Sequence, residues 1–359
     1  MGALNKVTYR RSAAWITIFL AVQLAFFAPW SVEDSTQVPG SWKFAVLCDT
    51  RGDSNPLHWN KSGVNEAIVN SAARDMVKEG AELVLVPGDL INGNAKSRTP
   101  FASQFATWRK AMAPVYEAGI RVFPVRGNHE TGISLHNEKK MFSWLPREKD
   151  SPIVDSTPAL KVAFLEAFHD PWIPANGPEG EVGLTYSFSH RNAFFVGLDD
   201  YVHPLKVNQA WLDAALTSNR LPHVFVYGHD PAFSIAHPDC LASYPQDRDT
   251  FWDSLGRAGA RIYFSGHDHF YNRAHIKDRA GHVLYQVVPG SGGAPFSKWR
   301  PQQYAEGERV VNDYHDQVHY GYVLVTLDEA KVTMEWKALV AEGGREVWKT
   351  MDTLRYVLH

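Results

Sequence analysis

A chain of 359 residues with 45% apolar and 21% charged residues has the make-up of a globular protein, which excludes disorder, collagen and coiled coil as its main state. Thirty-six Lys and Arg against 39 Asp and Glu leave a formal charge of -3, so there is no global basic field for nonspecific nucleic-acid binding. Two cysteines, Cys48 and Cys240, cannot build a disulfide framework, and 16 histidines suggest metal or proton chemistry without locating it.

Residues 1–12 carry Lys6, Arg10 and Arg11 and no acid, and residues 13–30 are apolar apart from Thr17 and Gln23. A charged start before an apolar run is the pattern of a secretory signal. Phe26-Phe27-Ala28 before Pro29 is a poor cleavage site, so an uncleaved anchor stays open: about 18 apolar residues is the lower limit for crossing a bilayer. A twin-arginine signal at Arg10-Arg11 fits poorly. The expectation is export to the periplasm or the exterior, with membrane contact only through residues 13–30. Residues 1–35 are therefore signal or anchor, and residues 36–359 read as one domain.

Residues 42–48 read as a buried strand running into Asp49-Thr50-Arg51-Gly52-Asp53. A helix follows with Val64, Ala67, Ile68, Ala72 and Met76 on one face, then a strand at 83–86 that stops at Pro87-Gly88-Asp89. The next helix has Thr99 as N-cap, Pro100 at N1, a stripe of Phe101, Phe105, Trp108, Met112 and Val115, and Gly119 as its stop. A strand at 121–125 ends at Arg126-Gly127-Asn128-His129-Glu130. Residues 131–180 look like an irregular insertion decorating the site, with a short helix near 160–168.

Strands at 184–189 and 193–198 precede an amphipathic helix with Val207, Trp211 and Ala214 on one face. The strand at 224–227 ends at Gly228-His229-Asp230-Pro231, a helix covers 251–258, and the strand at 261–264 ends at Gly266-His267-Asp268-His269. Strands at 283–288, 322–327 and 332–338 complete a second sheet. Alternating strands and helices predict an α/β fold whose ligand lies beyond the carboxyl ends of the strands.

Five strand ends carry metal-binding residue types: Asp49, Asp89, Asn128, His229, and the pair His267 and His269. Mixed imidazole and carboxylate donors suit Zn, Fe, Mn or Ni rather than Ca or Mg. A single Gly-Asp or Asn-His is usually only a turn. Five such turns at strand ends in one chain point to a shared metal centre.

The ordered blocks CDTRGD, PGDL, RGNHE, YGHDP and SGHDHFYNR resemble the D-x-H, G-D, G-N-H-E/D, G-H and G-H-x-H blocks of the calcineurin-like metallophosphoesterases, over about residues 44–327. GHDHFYNR and VVPGSGGAPF look like the purple acid phosphatase and related secreted branches. The resemblance implies a four-layer α/β/β/α sandwich of two mixed sheets holding two divalent or trivalent ions, Fe, Zn or Mn. Asp89 would bridge them, with Asn128, His229 and His267 on one and Asp49 and His269 on the other. His129 would sit beside the leaving group.

One block departs from that pattern. Arg51 stands where D-x-H supplies a histidine ligand, and a permanently charged guanidinium cannot ligate a cation. Three residues after Asp89, where purple acid phosphatases use a tyrosine, stands Asn92, which argues against the purple ferric form. Asn92 offers a carbonyl oxygen, Asp53 could fold back or water could fill the gap; a single-metal site is the alternative. Arg51 reads either as a phosphate-binding fork or as an ion pair with Asp49 or Asp53.

Two adjacent cations imply a metal-held hydroxide attacking phosphorus in line, with His129 as general acid and Glu130 or Asp53 holding its tautomer. The function so implied is hydrolysis of a small phosphate ester, a monoester first, with a diesterase or a silent metal and phosphate binder as alternatives. The tryptophans and Cys48 read as packing residues, histidines such as His237 as surface or internally satisfied residues, and nothing sets the oligomeric state.

Overall fold

The computed structural model describes residues 40–52, 62–93, 101–131, 158–298 and 309–358. The export segment, Asp53, Thr99, Pro100 and residues 132–157 of the insertion lie outside the described residues. No helix among the described residues is long and apolar enough to cross a membrane.

In chain order the first half contains β1 (Trp42–Val46), α1 (Glu66–Lys78), β2 (Ala81–Pro87), α2 (Phe101–Ala111), α3 (Ala113–Glu117), β3 (Arg121–Val125), α4 (Asn128–Thr131) and α5 (Pro158–Ala167). The second half contains β4 (Tyr186–His190), β5 (Ala193–Gly197), α6 (Gln209–Ser218), β6 (His223–Tyr227), α7 (Pro245–Arg257), β7 (Ile262–Phe264), β8 (Tyr271–Lys277), β9 (Val283–Pro289), β10 (Val310–Asp316), β11 (Gly321–Asp328), β12 (Lys331–Glu342) and β13 (Arg345–Val357). They form a six-stranded sheet, β13-β12-β11-β1-β2-β3, and a seven-stranded sheet, β10-β8-β9-β7-β6-β5-β4.

Side-chain alternation along the central strands sorts the core into layers. Phe44 and Val46 of β1, Leu83 and Leu85 of β2, and Phe123 of β3 face Phe195, Phe225, Ile262 and Phe264 of the other sheet. Phe44 lies edge-on to Phe195 and Phe225, with ring centroids at 5.2 and 4.9 Å. The alternate residues Ala45, Val84, Val86 and Val122 lie under α1, α2 and α3. Val196, Val224, Val226 and Tyr263 lie under α6 and α7. The result is the expected α/β/β/α sandwich, with β1–β2–β3 and β5–β6–β7 parallel, so that their carboxyl ends share one rim.

Several expectations are corrected. The strands near 322–327 and 332–338 join the first sheet: β11 pairs antiparallel with β1, Phe44 opposite Val325. β1 is apolar on both faces, so it must be an interior strand, and β11 covers the edge that β2 leaves open. β8, β10 and β13 were not expected, because alternating polar residues such as those of YNRAHIK hide a half-buried strand. The helix expected from 99 to 119 is two, because Pro114 has no N–H for the Lys110 carbonyl and its ring would clash there. In α1 the buried stripe is Val69, Ala72, Ala73 and Met76, with Ala67 exposed. In α6 the buried residues are Leu212 and Leu216, with Trp211 and, just before the helix, Val207 partly buried against the same core and Ala214 exposed. α7 begins at Pro245, earlier than expected, because proline suits a first helical turn.

One buried ion pair ties the two sheets at the rim. Arg126, just after β3, donates from Nε and Nη2 to Asp199, just after β5, at 2.6 and 3.1 Å, with both side chains fully buried. Asp199 also accepts the Tyr201 and Val202 N–H groups at 3.0 Å. Arg126→Met is expected to destabilise the fold by about 3 kcal/mol, the low end for a broken buried pair because Asp199 keeps two donors. Chemical denaturation checks this, and an unchanged midpoint would count against it.

Candidate metal centre

The strand-end loops of β1, β2, β3, β6 and β7 meet at the rim. Ligand atoms of Asp49, Asp89 and His269 all lie within 4.8 Å of one another, as do those of His229, Asp230 and His267. Asn128 lies between the sets, its Oδ1 3.1 Å from His229 Nε2 and 3.3 Å from His267 Nδ1. Asp49, Asp89 and His267 adopt left-handed backbone angles, φ 53°, 51° and 70°. Non-glycine residues hold such angles at a cost of about 1–3 kcal/mol, a strain typical of functional sites. Gly127 is a steric requirement: a Cβ there would lie 2.3 Å from Asp89 Oδ1.

The histidine rings are fixed by groups that can only accept. His229 Nδ1 donates to the Pro87 carbonyl at 2.8 Å, and His269 Nδ1 to the Pro295 carbonyl at 2.9 Å. Each ring therefore turns a bare Nε2 towards the carboxylates. His229 Nε2 is 3.5 Å from Asp89 Oδ1, and His269 Nε2 is 3.7 Å from Asp49 Oδ1. Burial lowers the pKa of both rings, that of His229 to about 4, which keeps these lone pairs free at neutral pH.

Burial, then the neighbouring Asp89 charge, push the Asp49 carboxyl well up. Burial also pushes Asp89 up, but the charges of His129, His229 and Arg51 outweigh it and hold this carboxyl low. Buried lone pairs and crowded carboxylates converging on one place are what a cation would relieve, so these donors fit a metal. The fit is weaker around Asp49 and His269, where Arg51 intrudes. Its Nη2 lies 3.4 Å from His269 Nε2 and its Nε 3.9 Å from Asp89 Oδ2. Among the described residues the Arg51 ion pair is thus with Asp89 rather than Asp49, and Arg51 Nε and Nη1 are buried without a hydrogen bond.

His129 donates from Nδ1 to the backbone carbonyl of Asn92 at 2.6 Å, which leaves Nε2 3.8 Å from Asp89 Oδ2. Its tautomer is therefore held by Asn92, not by Glu130. Burial and then the Arg51 charge lower its pKa to about 4. Asn92 keeps a buried amide oxygen, Oδ1, without a hydrogen bond. The buried Glu130 carboxylate instead accepts the N–H groups of Asp89, Ile91 and Gly127 at 2.9, 3.0 and 2.7 Å, which ties the β2 and β3 loops together.

The sequence reading missed three supports. Asp200 Oδ2 accepts the N–H groups of His229 and Asp230 at 2.9 and 3.0 Å. Tyr201 donates its hydroxyl to Asp230 Oδ1 at 2.6 Å. His237, read as a surface or internally satisfied residue, is satisfied: its ring packs 4.8 Å from that of His267, and its Nδ1 and backbone N–H donate to Asp268 Oδ1 at 2.6 and 3.1 Å. Only its place in the loop after His229 could have signalled this. Cys48 and Cys240 are free and buried, and burial and the Asp49 charge keep Cys48 a thiol, in line with its reading as a core residue.

A family model described as calcineurin-like phosphoesterase matches residues 57–271, more than half of the chain. Similar solved structures include purple acid phosphatase PPD1 from yellow lupin (Lupinus luteus) seeds, TM-score 0.64 and 16% identity over 89% of this chain and 54% of that one. PhoD gives 0.60 and 15% over 89% and 70%. A dimetal phosphatase from Danio rerio gives 0.53 and 17% over 89% and 99%. The chain spans about half the length of the lupin enzyme, and at these identities the likeness is one of fold. Comparison with curated protein sequences finds no match.

Proposed function

The chain belongs to the calcineurin-like phosphoesterase family, and from that premise we propose that it is an exported, metal-dependent hydrolase of phosphate esters that acts on monoesters. The observation that carries this reading is the convergence of Asp49, Asp89, Asn128, His229, His267 and His269, from five loops, around the partly buried His129 and Arg51. The donor set suits Fe, Zn or Mn. A cation held by these residues would neutralise phosphoryl oxygens and make a bound water more acidic.

The protein's own groups do the rest. Asn92 fixes the His129 ring so that a proton can be exchanged only at Nε2, which faces Asp89. A phosphate dianion beside Nε2 supplies the negative charge that favours the imidazolium, and the ring can then protonate the leaving oxygen, a step typically worth about 10² to 10⁴ in rate. Arg51 has buried donors at Nε and Nη1 that phosphoryl oxygens would satisfy. A monoester has three non-bridging oxygens for cation and guanidinium together, whereas a diester has two. This favours the monoester.

Chelator-treated protein is expected to lose turnover of an aryl monophosphate and regain it with Mn, Zn or Fe, and to act more slowly on a bis-aryl phosphate. Faster diester turnover would overturn the monoester assignment, and no turnover of either ester in metal-replete protein would sink the hydrolase reading. Export predicts that the full chain fractionates with the membrane or outside the cytoplasm.

A further inference from the structure

The two halves of the centre are unequally equipped. On one side stand Asp89, Asn128, His229 and His267, joined by Asp230, whose buried Oδ2 has no hydrogen bond. On the other, the described residues supply Asp49, the shared Asp89 and His269. His269 donates its Nδ1–H to the Pro295 carbonyl, so Nε2 carries its one lone pair, and Arg51 Nη2 lies 3.4 Å from it. A lone pair that accepts an Arg N–H cannot bind a metal at the same time. Arg51 also brings a charge that does not titrate away, 3.9 Å from the carboxylate both metals would share.

We infer that this chain holds one metal tightly, on the His229–His267 side, and that the Arg51 guanidinium is the fixed second positive charge of the centre. The inference rests on the metal-dependent reading above. It gives Arg51 two tasks with one side chain: it balances Asp49 and Asp89, and it presents Nε and Nη1 to phosphoryl oxygens. Losing a histidine donor and gaining a like charge nearby weakens binding on the Asp49 side by about 10²-fold or more.

The test is metal stoichiometry, read without reference to turnover. Full-length protein is equilibrated with Zn²⁺ or Mn²⁺, freed of unbound ion, and analysed for metal per chain, with affinities from titration calorimetry. Wild type is expected to retain one ion and to show a second, much weaker binding step, while Arg51→His retains two. Two ions bound with similar affinity in wild type would overturn the inference, as would a folded Arg51→His that still keeps only one. Wild-type stoichiometry alone decides should the variant not fold. No retained metal in wild type would defeat the metal-dependent reading itself, a different outcome from two.

Discussion

Asp89→Asn is expected to reduce turnover of an aryl monophosphate by about 10³-fold and to cut metal retention, while the metal-free chain melts no lower than wild type. The drop corresponds to about 4 kcal/mol of lost transition-state stabilisation, in line with a cation contribution of several kcal/mol. Asp89 is the carboxylate that touches most of the centre: its oxygens lie 3.5 Å from His229 Nε2, 3.8 Å from His129 Nε2 and 3.9 Å from Arg51 Nε. Asparagine keeps the shape and tolerates the left-handed φ of 51° at this position. Removing one of two crowded buried carboxylates also relieves Asp49, whose protonation Asp89 favours. Stability and function should therefore separate. A variant with wild-type turnover would remove Asp89 from the centre, and one that simply unfolded would show a structural role instead.

Glu130→Ala is expected to destabilise the fold by about 3–5 kcal/mol in chemical denaturation and to lower turnover without touching a ligand. The carboxylate accepts three backbone N–H groups, from Asp89, Ile91 and Gly127, and is fully buried. Each donor left unsatisfied costs about 1–3 kcal/mol, partly offset by removing a charge whose pKa burial and Asp89 push up to about 8. Glu130→Gln keeps one acceptor oxygen for Asp89 and Gly127 and sets an amide N–H against Ile91, so a smaller loss is expected. An alanine variant with the wild-type midpoint and turnover would show that the two loops hold their register without this group.

The residues that reach the rim were legible because each stands directly after a short apolar strand. Asp49 follows 42–48 and Asp89 follows 83–86, and parallel strands deliver their ends to one edge. The support around them was not legible. Asp200 lies next to Asp199 in sequence, yet one holds the backbone of His229 and the other pairs with Arg126 of the opposite sheet. Glu130 reads as a partner for the adjacent His129, but its side chain turns back to three N–H groups in two loops. Local spacing cannot tell which of two neighbouring carboxylates faces a loop and which faces another strand.

The sequence alone determined which strands are buried on both faces and which residue types stand at their ends, since periodicity and residue chemistry are local properties; the resemblance implied that Arg51 replaces a donor. The tertiary structure decided that β11 rather than a second-sheet strand covers β1, that Asn92 fixes His129, that Arg51 reaches the lone pair of His269, and that Asp268 holds His237 over His267. These are contacts between residues far apart in sequence. Their partners are chosen by which buried polar groups must find one another once two sheets exclude water from the rim.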